Sequence, residues 1–500
     1  MDFLDRDYHG VVLPCFSTRR ACASGVGEFL DLIPLIEWLS SVNCDILQLL
    51  PLNDSGNDSS PYSALSAHAL HPLNISLWAL PFLDEVPQSK KMLQELSVCN
   101  SSVRFCYQNV LRNKEEFLKY YFDHVFEKIK RSDSFQKFVE KHNYWLDIYC
   151  SFRVLKNRNE QKPWWEWKEK GPVINGEKAF YQMIQFFAFS QFEEVKSAAR
   201  RYGVFVKGDI PILINKDSAD VWHHTHLFSF GHTAGAPPDM FNEDGQNWGF
   251  PLYCWKEHEK DHFSWWKERL KTAENLYDLF RIDHIVGFFR IFAIKAGDSA
   301  KEGFFIPNKQ SEWEEQGKKL LSILKNATSM FPVGEDLGSI PPSVRSILKD
   351  LSIPGTKVIR WERKWDTDGS FIPLSDYPKE SMSTLSTHDT EPVSLWWHKR
   401  SGEVGAFCAF KRWEYEHTLS FERRLAILQD CHKSGSKLHI NPLEEYLALF
   451  PELSFEDPCA QRVNVPGTSS EWNWTYRTKP FLEEITAHKE LHNVLKSLFS

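Results

Sequence analysis

Three carboxylates follow short apolar segments that have the composition of β-strands. Asp283 follows the segment LFRI, Glu335 follows FPVG, and Asp389 lies in the segment THDT just after a third such run. Chemistry at a glycosidic bond uses one carboxylate to attack the anomeric carbon and a second to protonate the leaving oxygen, while a third can hold ring hydroxyls. If the fold brings these three side chains to one face, they form a site suited to that chemistry.

The neighbours of these carboxylates support the assignment. Arg281 lies two positions before Asp283 and so shares one face of a strand with it, and a guanidinium favours the ionised form that a nucleophile needs. Asp336 is adjacent to Glu335, and two neighbouring acids tend to raise one pKa, as a proton donor requires. A structural Arg–Asp ion pair and a carboxylate at a helix start remain alternative interpretations of these two segments.

A metal site is the main competitor for such a cluster of acids. The ten cysteines are scattered without C-x₂-C spacing, and no H-E-x-x-H segment occurs. We therefore expect no metal and no other cofactor, and we expect the cysteines to be reduced thiols.

The elements that must position the carboxylates alternate along the chain. Short β-rich runs occur at 11–13, 45–52, 204–211, 279–285, 331–338, 357–360 and 385–390, and amphipathic stretches such as 29–39 lie between them. This alternation predicts an α/β fold, a (β/α)₈ barrel whose active groups lie at the carboxyl ends of the strands. An open nucleotide-binding sheet is the alternative, but its G-x-G-x-x-G and G-x₄-G-K-[ST] signatures are absent.

The chain is about twice as long as a bare barrel, which takes roughly 250 residues. We expect a single catalytic barrel over residues 1–500, with mainly helical insertions at 85–200 and 401–450. The first segment is charged and rich in aromatic residues, and both segments interrupt the alternation of strands and helices.

Composition excludes several classes of partner. The net charge of -8 is spread along the chain with no basic cluster, so nucleic-acid binding is not expected. The chain begins without a signal-peptide pattern, and charged residues interrupt its most apolar region, 29–52. We therefore expect a cytoplasmic protein that does not enter the membrane. The 19 Trp, 37 Phe and 15 Tyr residues suit core packing and also stacking against sugar rings.

The order Arg-x-Asp-His at 281–284, Glu-Asp-Leu-Gly at 335–338 and Thr-His-Asp at 387–389 resembles the α-amylase superfamily. Within it, the chain is most similar to the amylomaltases, or 4-α-glucanotransferases, of glycoside hydrolase family 77. The closer likeness rests on SPYS at 60–63, GDIPI at 208–212, GAPPD at 235–239, GQNWGFPLY at 245–253 and RVNVPGT at 462–468. The segment Thr390-Glu391-Pro392 departs from the commoner family pattern.

The resemblance implies a transferase that moves part of an α-1,4-glucan to the 4-hydroxyl of glucose or another glucan, by a retaining double displacement without a cofactor. The substrates would be maltodextrins, with glycogen and starch as further candidates. Asp283 would be the nucleophile, Glu335 the acid/base and Asp389 the third carboxylate. The residues expected to bind sugar are Tyr62, Asp209, Gln246, Trp248, Arg281, His388 and Asn464.

In the family, a loop corresponding to 235–255 covers the acceptor side. Such a cover has a physical reason, because a transferase must keep water from its glycosyl-enzyme intermediate until the acceptor binds. Alternatively, this segment is a structural loop packed by Trp248 and Phe250. At the level of function, an α-1,4-glucan hydrolase and a non-catalytic glucan-binding protein remain the alternatives.

Overall fold

In a computed structural model, residues 3–98, 102–238 and 243–500 are described, and they contain twelve strands. Eight of them form one parallel sheet in the order β10-β11-β12-β1-β2-β3-β6-β9. The strands are β1 (Tyr8–Leu13), β2 (Ile46–Leu49), β3 (Phe205–Ile210), β4 (Phe228–Ala236), β5 (Gln246–Tyr253), β6 (Leu279–Ile282), β7 (Ile291–Lys295), β8 (Phe304–Ile306), β9 (Phe331–Gly334), β10 (Gly355–Val358), β11 (Ser381–Thr384) and β12 (Leu438–Pro442).

The two outer strands of the eight-stranded sheet, β9 and β10, lie side by side and nearly close it into a barrel. The amide of Gly334 donates to the carbonyl of Pro354 at 2.7 Å, and the hydroxyl of Thr356 donates to the carbonyl of Gly334 at 2.9 Å. The predicted (β/α)₈ barrel is therefore confirmed.

Helices surround this barrel and fill its longer connections. They are α1 (Leu32–Ser41), α2 (Ser89–Ser97), α3 (Tyr107–Ile129), α4 (Asp133–Arg158), α5 (Asn175–Tyr202), α6 (Ala219–His223), α7 (Trp255–Lys260), α8 (Ser264–Glu274), α9 (Gln310–Asn326), α10 (Pro342–Asp350), α11 (Val393–Lys399), α12 (Ser401–Lys411), α13 (Phe421–His432), α14 (Leu443–Leu447), α15 (Leu482–Ala487) and α16 (Lys489–Leu498). The amphipathic stretch at 29–39 forms α1 with a preceding 3₁₀ turn, and its apolar side chains Leu32, Ile36 and Leu39 are fully buried.

The region 85–200 lies between β2 and β3 and contains α2 to α5. Helix α5 packs against α1 and against β3, so it serves as the outer helix of this barrel unit, and α3 and α4 pack against α5. Residues 99–101 of this region lie outside the described part of the chain. Its role as a separate subdomain stays a prediction.

Two barrel strands differ from the predicted positions. The run 385–390 is not a strand, because β11 ends at Thr384 and a bend and a turn follow. The region 401–450 is not only helical, because β12 lies within it at Leu438–Pro442 and pairs with β1 and β11. Both strands carry polar side chains that are nevertheless buried, such as Ser383 and His439.

A second, antiparallel sheet stands beside the barrel. It has the order β5-β4-β7-β8 and contains residues 235–236 and 246–253 of the segment 235–255. Residues 239–242, which include Asp239 of the GAPPD motif, lie outside the described residues. The described part of the expected cover is therefore a β-ribbon rather than an irregular loop.

Four aromatic rings close the amino-terminal end of the barrel interior, and we call them the floor: Phe3, Tyr8, Phe205 and Phe331. The ring of Phe3 lies 5.2 Å from Tyr8, 4.9 Å from Phe205 and 5.3 Å from Phe331. Because these rings exclude water from this end, we expect the functional groups of the barrel at the opposite, carboxyl-terminal end.

Two further features concern the whole described chain. No helix of the described residues is long and apolar enough to cross a membrane. The nine cysteines within residues 3–98, 102–238 and 243–500 are all free thiols.

Candidate active site

The Arg281 guanidinium lies among three carboxylates at the carboxyl-terminal end of the barrel. Strands β3 and β6 pair Asp209 with Arg281, and Nη1 of Arg281 donates to both carboxylate oxygens of Asp209 at 2.9 and 2.8 Å. The same Nη1 lies 2.8 Å from Oδ1 of Asp283, and Nη2 lies 3.7 Å from Oε2 of Glu335. We call Asp209, Arg281, Asp283, Glu335 and Asp389 the mouth of the barrel.

Glu335 has the electrostatic environment of a proton donor. Burial, together with the negative charge of Asp283, raises the pKa of Glu335 to about 8, although Arg281 opposes this shift. The adjacent Asp336 also raises the pKa of Glu335, but less than burial and Asp283 do. The predicted direction of the shift is therefore present, but its main cause is burial rather than the neighbouring acid.

Asp389 is held in the opposite charge state. Its Oδ1 accepts a 2.6 Å hydrogen bond from Asn464 Nδ2, and its Oδ2 lies 3.2 Å from Nε2 of His388. Burial alone would raise the pKa of Asp389, but these partners and Arg281 lower it to about 2. The mouth thus combines a carboxyl group that retains its proton at neutral pH with one that is ionised.

Tyr62 connects two parts of the mouth. Its hydroxyl donates to Oδ2 of Asp209 at 2.8 Å and lies 3.0 Å from Nε2 of His388. The rings of Tyr62 and His388 are stacked, with centroids 5.4 Å apart, and Trp474 packs against Tyr62 at 5.5 Å. Sequence reasoning assigned no role to Trp474.

His284 has a positioning role that sequence reasoning missed. Its backbone amide donates to Oε2 of Glu335 at 2.7 Å, and its φ of 44° is left-handed, which is uncommon for a residue other than glycine. A side-chain motif gives no signal for a contact made by the backbone, so only the structure could identify it.

Trp248 and Gln246 lie on β5 at the edge of the mouth. The indole of Trp248 meets the ring of His284 at 5.0 Å in a T-shaped contact, and its Nε1 donates to Oε1 of Gln246 at 3.2 Å. Through His284, the ribbon is therefore in contact with the residue that bonds Glu335. Their predicted role toward an acceptor stays a prediction.

The arrangement defines a chemical class. A proton-bearing carboxyl group and a second carboxylate that contact one guanidinium at the open end of a barrel suit acid/base and nucleophilic chemistry at a glycosidic bond. In residues 3–98, 102–238 and 243–500, no group of three or more His, Cys, Asp or Glu side chains is placed to hold a metal ion.

Comparison with known proteins identifies the family. The family described as 4-alpha-glucanotransferase, Glyco_hydro_77, matches residues 13–483. A 4-alpha-glucanotransferase of Chlamydia pneumoniae is 41% identical over 503 residues, which cover 98% of this chain and 95% of the relative. One from Thermus thermophilus is 30% identical over 459 residues, 87% of each chain. The chain belongs to the 4-alpha-glucanotransferase family, as the motifs predicted.

A solved structure supports the fold independently. The amylomaltase from Streptococcus agalactiae in complex with acarbose superposes with a TM-score of 0.84 at 23% sequence identity, over 99% of each chain. Family membership also favours glucan transglycosylation over the hydrolase and the non-catalytic alternatives.

Proposed function

We propose that this chain transfers a segment of an α-1,4-glucan to the 4-hydroxyl of glucose or another glucan, with Asp283 as nucleophile and Glu335 as acid/base. One observation carries this proposal: Asp283 and Glu335 contact the same guanidinium, that of Arg281, while burial raises the pKa of Glu335 to about 8. Two carboxyl groups with separated roles are what a double displacement needs.

In the first step, the carboxylate of Asp283 attacks the anomeric carbon and forms a glycosyl ester. Glu335 gives its proton to the glycosidic oxygen, so the remainder of the donor leaves as a neutral alcohol. The amide of His284 holds the other oxygen of Glu335 and thereby fixes the orientation of the acid.

In the second step, Glu335 is ionised and accepts the proton of the acceptor's 4-hydroxyl. The alkoxide oxygen attacks the anomeric carbon and releases Asp283, so the configuration is inverted twice and retained overall. Water can replace the acceptor in this step, which is why the acceptor side must exclude it.

Sugar hydroxyls on the donor side have several partners in the mouth. The ionised Asp389, fixed by Asn464 at 2.6 Å, can accept from ring hydroxyls. Asp209 has a side chain with no exposed surface and supports the donor side by fixing Arg281 and Tyr62, so its direct contact with sugar stays a prediction. Tyr62 and His388 hold each other in place by a hydrogen bond and by stacking. Because these groups are already positioned, little conformational entropy is lost when the sugar binds.

On the acceptor side, we expect Trp248 to limit the entry of water. Trp248→Ala opens the space beside His284, and water then competes better for the glycosyl ester. The ratio of transfer to hydrolysis should therefore fall, by up to about tenfold. Product ladders and reducing-end counts measure that ratio. Phe230→Ala, an exposed aromatic on β4 of the same sheet, is the matched control. An unchanged ratio in Trp248→Ala would remove this role.

For substrates, short maltodextrins and glucose are the simplest assignment, with glycogen and starch as further candidates, and a cytoplasmic location stays our prediction. Incubation of the purified protein with maltotriose should yield glucose together with maltodextrins longer than the substrate. Exclusively shorter sugars with a steady rise in reducing ends would instead identify a hydrolase. Binding without any turnover would identify a glucan-binding protein.

A further inference from the structure

A cavity outside the mouth has an unusual lining. It encloses about 640 Å³, within the range of small-molecule sites, and lies beside the loop that follows β11. Four cations, one acid and one aromatic ring characterise its wall: Arg104, Lys399, Arg400, Arg462, Glu391 and Trp472. The net charge of the chain is -8, so this local concentration of positive charge is unusual and suggests an anionic ligand.

The acid of this cavity is already shared among cations. Oε1 of Glu391 lies 3.3 Å from Arg400 and 3.9 Å from Arg462, and Oε2 lies 3.8 Å from Arg360. Arg360 is only 4% exposed, and none of its guanidinium nitrogens has a hydrogen-bond partner among the described residues. Glu445 and Glu403 also act on Arg360, which lies outside the cavity lining. The lining itself sets four cations against one carboxylate, that of Glu391, and such a surplus of positive charge favours an anionic ligand.

Arg104 adds a further cation to the lining. Its guanidinium donates to main-chain carbonyls, including that of Trp472 at 2.7 Å and that of Ala460 at 3.0 Å, and within the described ranges no carboxylate acts on it. The indole of Trp472 lies 4.8 Å from this guanidinium and is 56% exposed. An exposed aromatic face beside cations can stack against a sugar ring while the cations hold its anionic group.

We propose that this cavity binds the phosphate group of a phosphorylated sugar, with the sugar ring against Trp472. The exposed side chains of Lys399 and Arg400 can donate to the oxygens of a phosphate, while Arg104 and Arg462 add positive charge from their fixed positions. The cavity is far larger than the ion alone, which leaves room for the ring. The phosphate can belong to a free hexose phosphate or to a phosphorylated glucan chain, since both present the same group.

The cavity also has a direct connection to the mouth. Nη2 of Arg462 donates to the carbonyl of Asp389 at 3.2 Å and to that of Asn464 at 2.9 Å. A ligand that interacts with Arg462 can therefore disturb the hydrogen bonds that Arg462 makes to the backbone of Asp389 and Asn464. This connection gives the site a means of affecting donor binding, but the binding itself does not depend on the proposed function.

Titration calorimetry at constant ionic strength tests the site without glucan turnover. We expect glucose 6-phosphate to bind at least tenfold more tightly than glucose, and inorganic phosphate to bind between the two. A maltodextrin phosphorylated at a 6-hydroxyl is the second arm. Tighter binding of this dextrin than of glucose 6-phosphate assigns the site to glucan-borne phosphate, and weaker binding assigns it to free sugar phosphates. Binding of glucose 6-phosphate no tighter than that of glucose would overturn the proposal.

Two variants locate the site. Lys399→Glu with Arg400→Glu should weaken glucose 6-phosphate binding at least tenfold, whereas Lys267→Glu with Lys318→Glu, the same charge change at exposed positions of α8 and α9, should leave it within twofold. Trp472→Ala, a second variant at an exposed position, should weaken glucose 6-phosphate but not inorganic phosphate. Equal affinity in the lining and control variants would place any bound phosphate elsewhere and refute the assignment.

Discussion

Three alternate residues of β3 lie at successive levels between the floor of the barrel and its mouth. Phe205 packs its ring 4.9 Å from Phe3, Lys207 donates to Gln48 at 2.8 Å, and Asp209 bonds Arg281. Because successive side chains on a strand alternate between faces, these three share the barrel interior. Within five residues of one strand, the interior thus changes from apolar packing to charge.

The comparison of floor and mouth shows what burial does in each place. At the floor, burial removes apolar rings from water and stabilises the fold. At the mouth, burial shifts charge: it raises the pKa of Glu335 to about 8, while hydrogen-bond partners lower that of Asp389 to about 2. The floor should therefore determine stability and the mouth activity, and variants at each end can separate the two.

The largest effect is expected from Asp283→Asn at the mouth. Loss of the nucleophile should lower kcat by about four orders of magnitude, while the melting temperature changes little because Asp283 is 23% exposed at the end of β6. Rates of maltotriose disproportionation and thermal unfolding measure the two quantities. Asp298→Asn, the same change at an exposed position, is the control. Near-normal activity in Asp283→Asn would remove the nucleophile assignment.

At the floor, Phe3→Ala should have the reverse pattern. Phe3 is 2% exposed and contacts three rings, so its loss should reduce the free energy of unfolding by about 3 kcal/mol, with kcat within twofold of wild type. Denaturant unfolding and the same activity assay provide the measurement. Phe304→Ala, at a half-exposed ring on β8, should cost far less. A large fall in kcat would mean that the floor is coupled to the chemistry.

The same contrast explains how far the sequence predicted this fold. Strands with apolar side chains on both faces, such as β6 and β9, were recognised, and each was followed by a carboxylate of the mouth. Strand β12 was missed because His439 and Asn441 alternate with its apolar residues. Both side chains are buried in a polar network outside the barrel, where His439 bonds Ser383 at 2.9 Å and Asn441 bonds Tyr446 at 3.0 Å. Such alternation is itself a strand pattern, but the prediction relied on continuous apolar runs and therefore passed over β12.

The mouth could be predicted further than the ribbon beside it. The types and spacing of Arg281, Asp283 and Glu335 indicated glycoside chemistry without any family. The sequence could not show that Trp248 meets His284, because that contact depends on the pairing of β4 with β5 and on a left-handed residue. Transfer rather than cleavage therefore rested on the resemblance alone.

A pH profile should test the charge state of Glu335. As a general acid, it must carry a proton before the first step, so kcat/KM should fall as the pH rises through about 8, by up to tenfold per pH unit. An ordinary glutamic acid would give this limb near pH 4.5. Thermal unfolding over the same range excludes loss of folded protein, and a limb near pH 5 would contradict the raised pKa.

The last effect is a gradual one and concerns Lys207, which lies between floor and mouth. Burial lowers the pKa of Lys207 from 10.5 to about 7, with a further contribution from Arg281. The unfolded chain keeps this proton up to about pH 10.5 and the native chain releases it near 7, so the native state is stabilised as the pH rises between these values. Relative to Lys207→Met, the free energy of unfolding of the wild type should rise by at most about 1.4 kcal/mol per pH unit from pH 7 to 10.

Comparing these two proteins cancels the titration of all other groups that behave alike in both. Methionine has a similar length and contacts the same neighbours, Gln48 and Met382, so the fold should be kept. If the two stability curves ran parallel, Lys207 would not be buried as a neutral amine. The variant also helps to interpret the pH profile of kcat/KM. If kcat/KM of Lys207→Met still falls near pH 8, the titrating group is Glu335 and not Lys207.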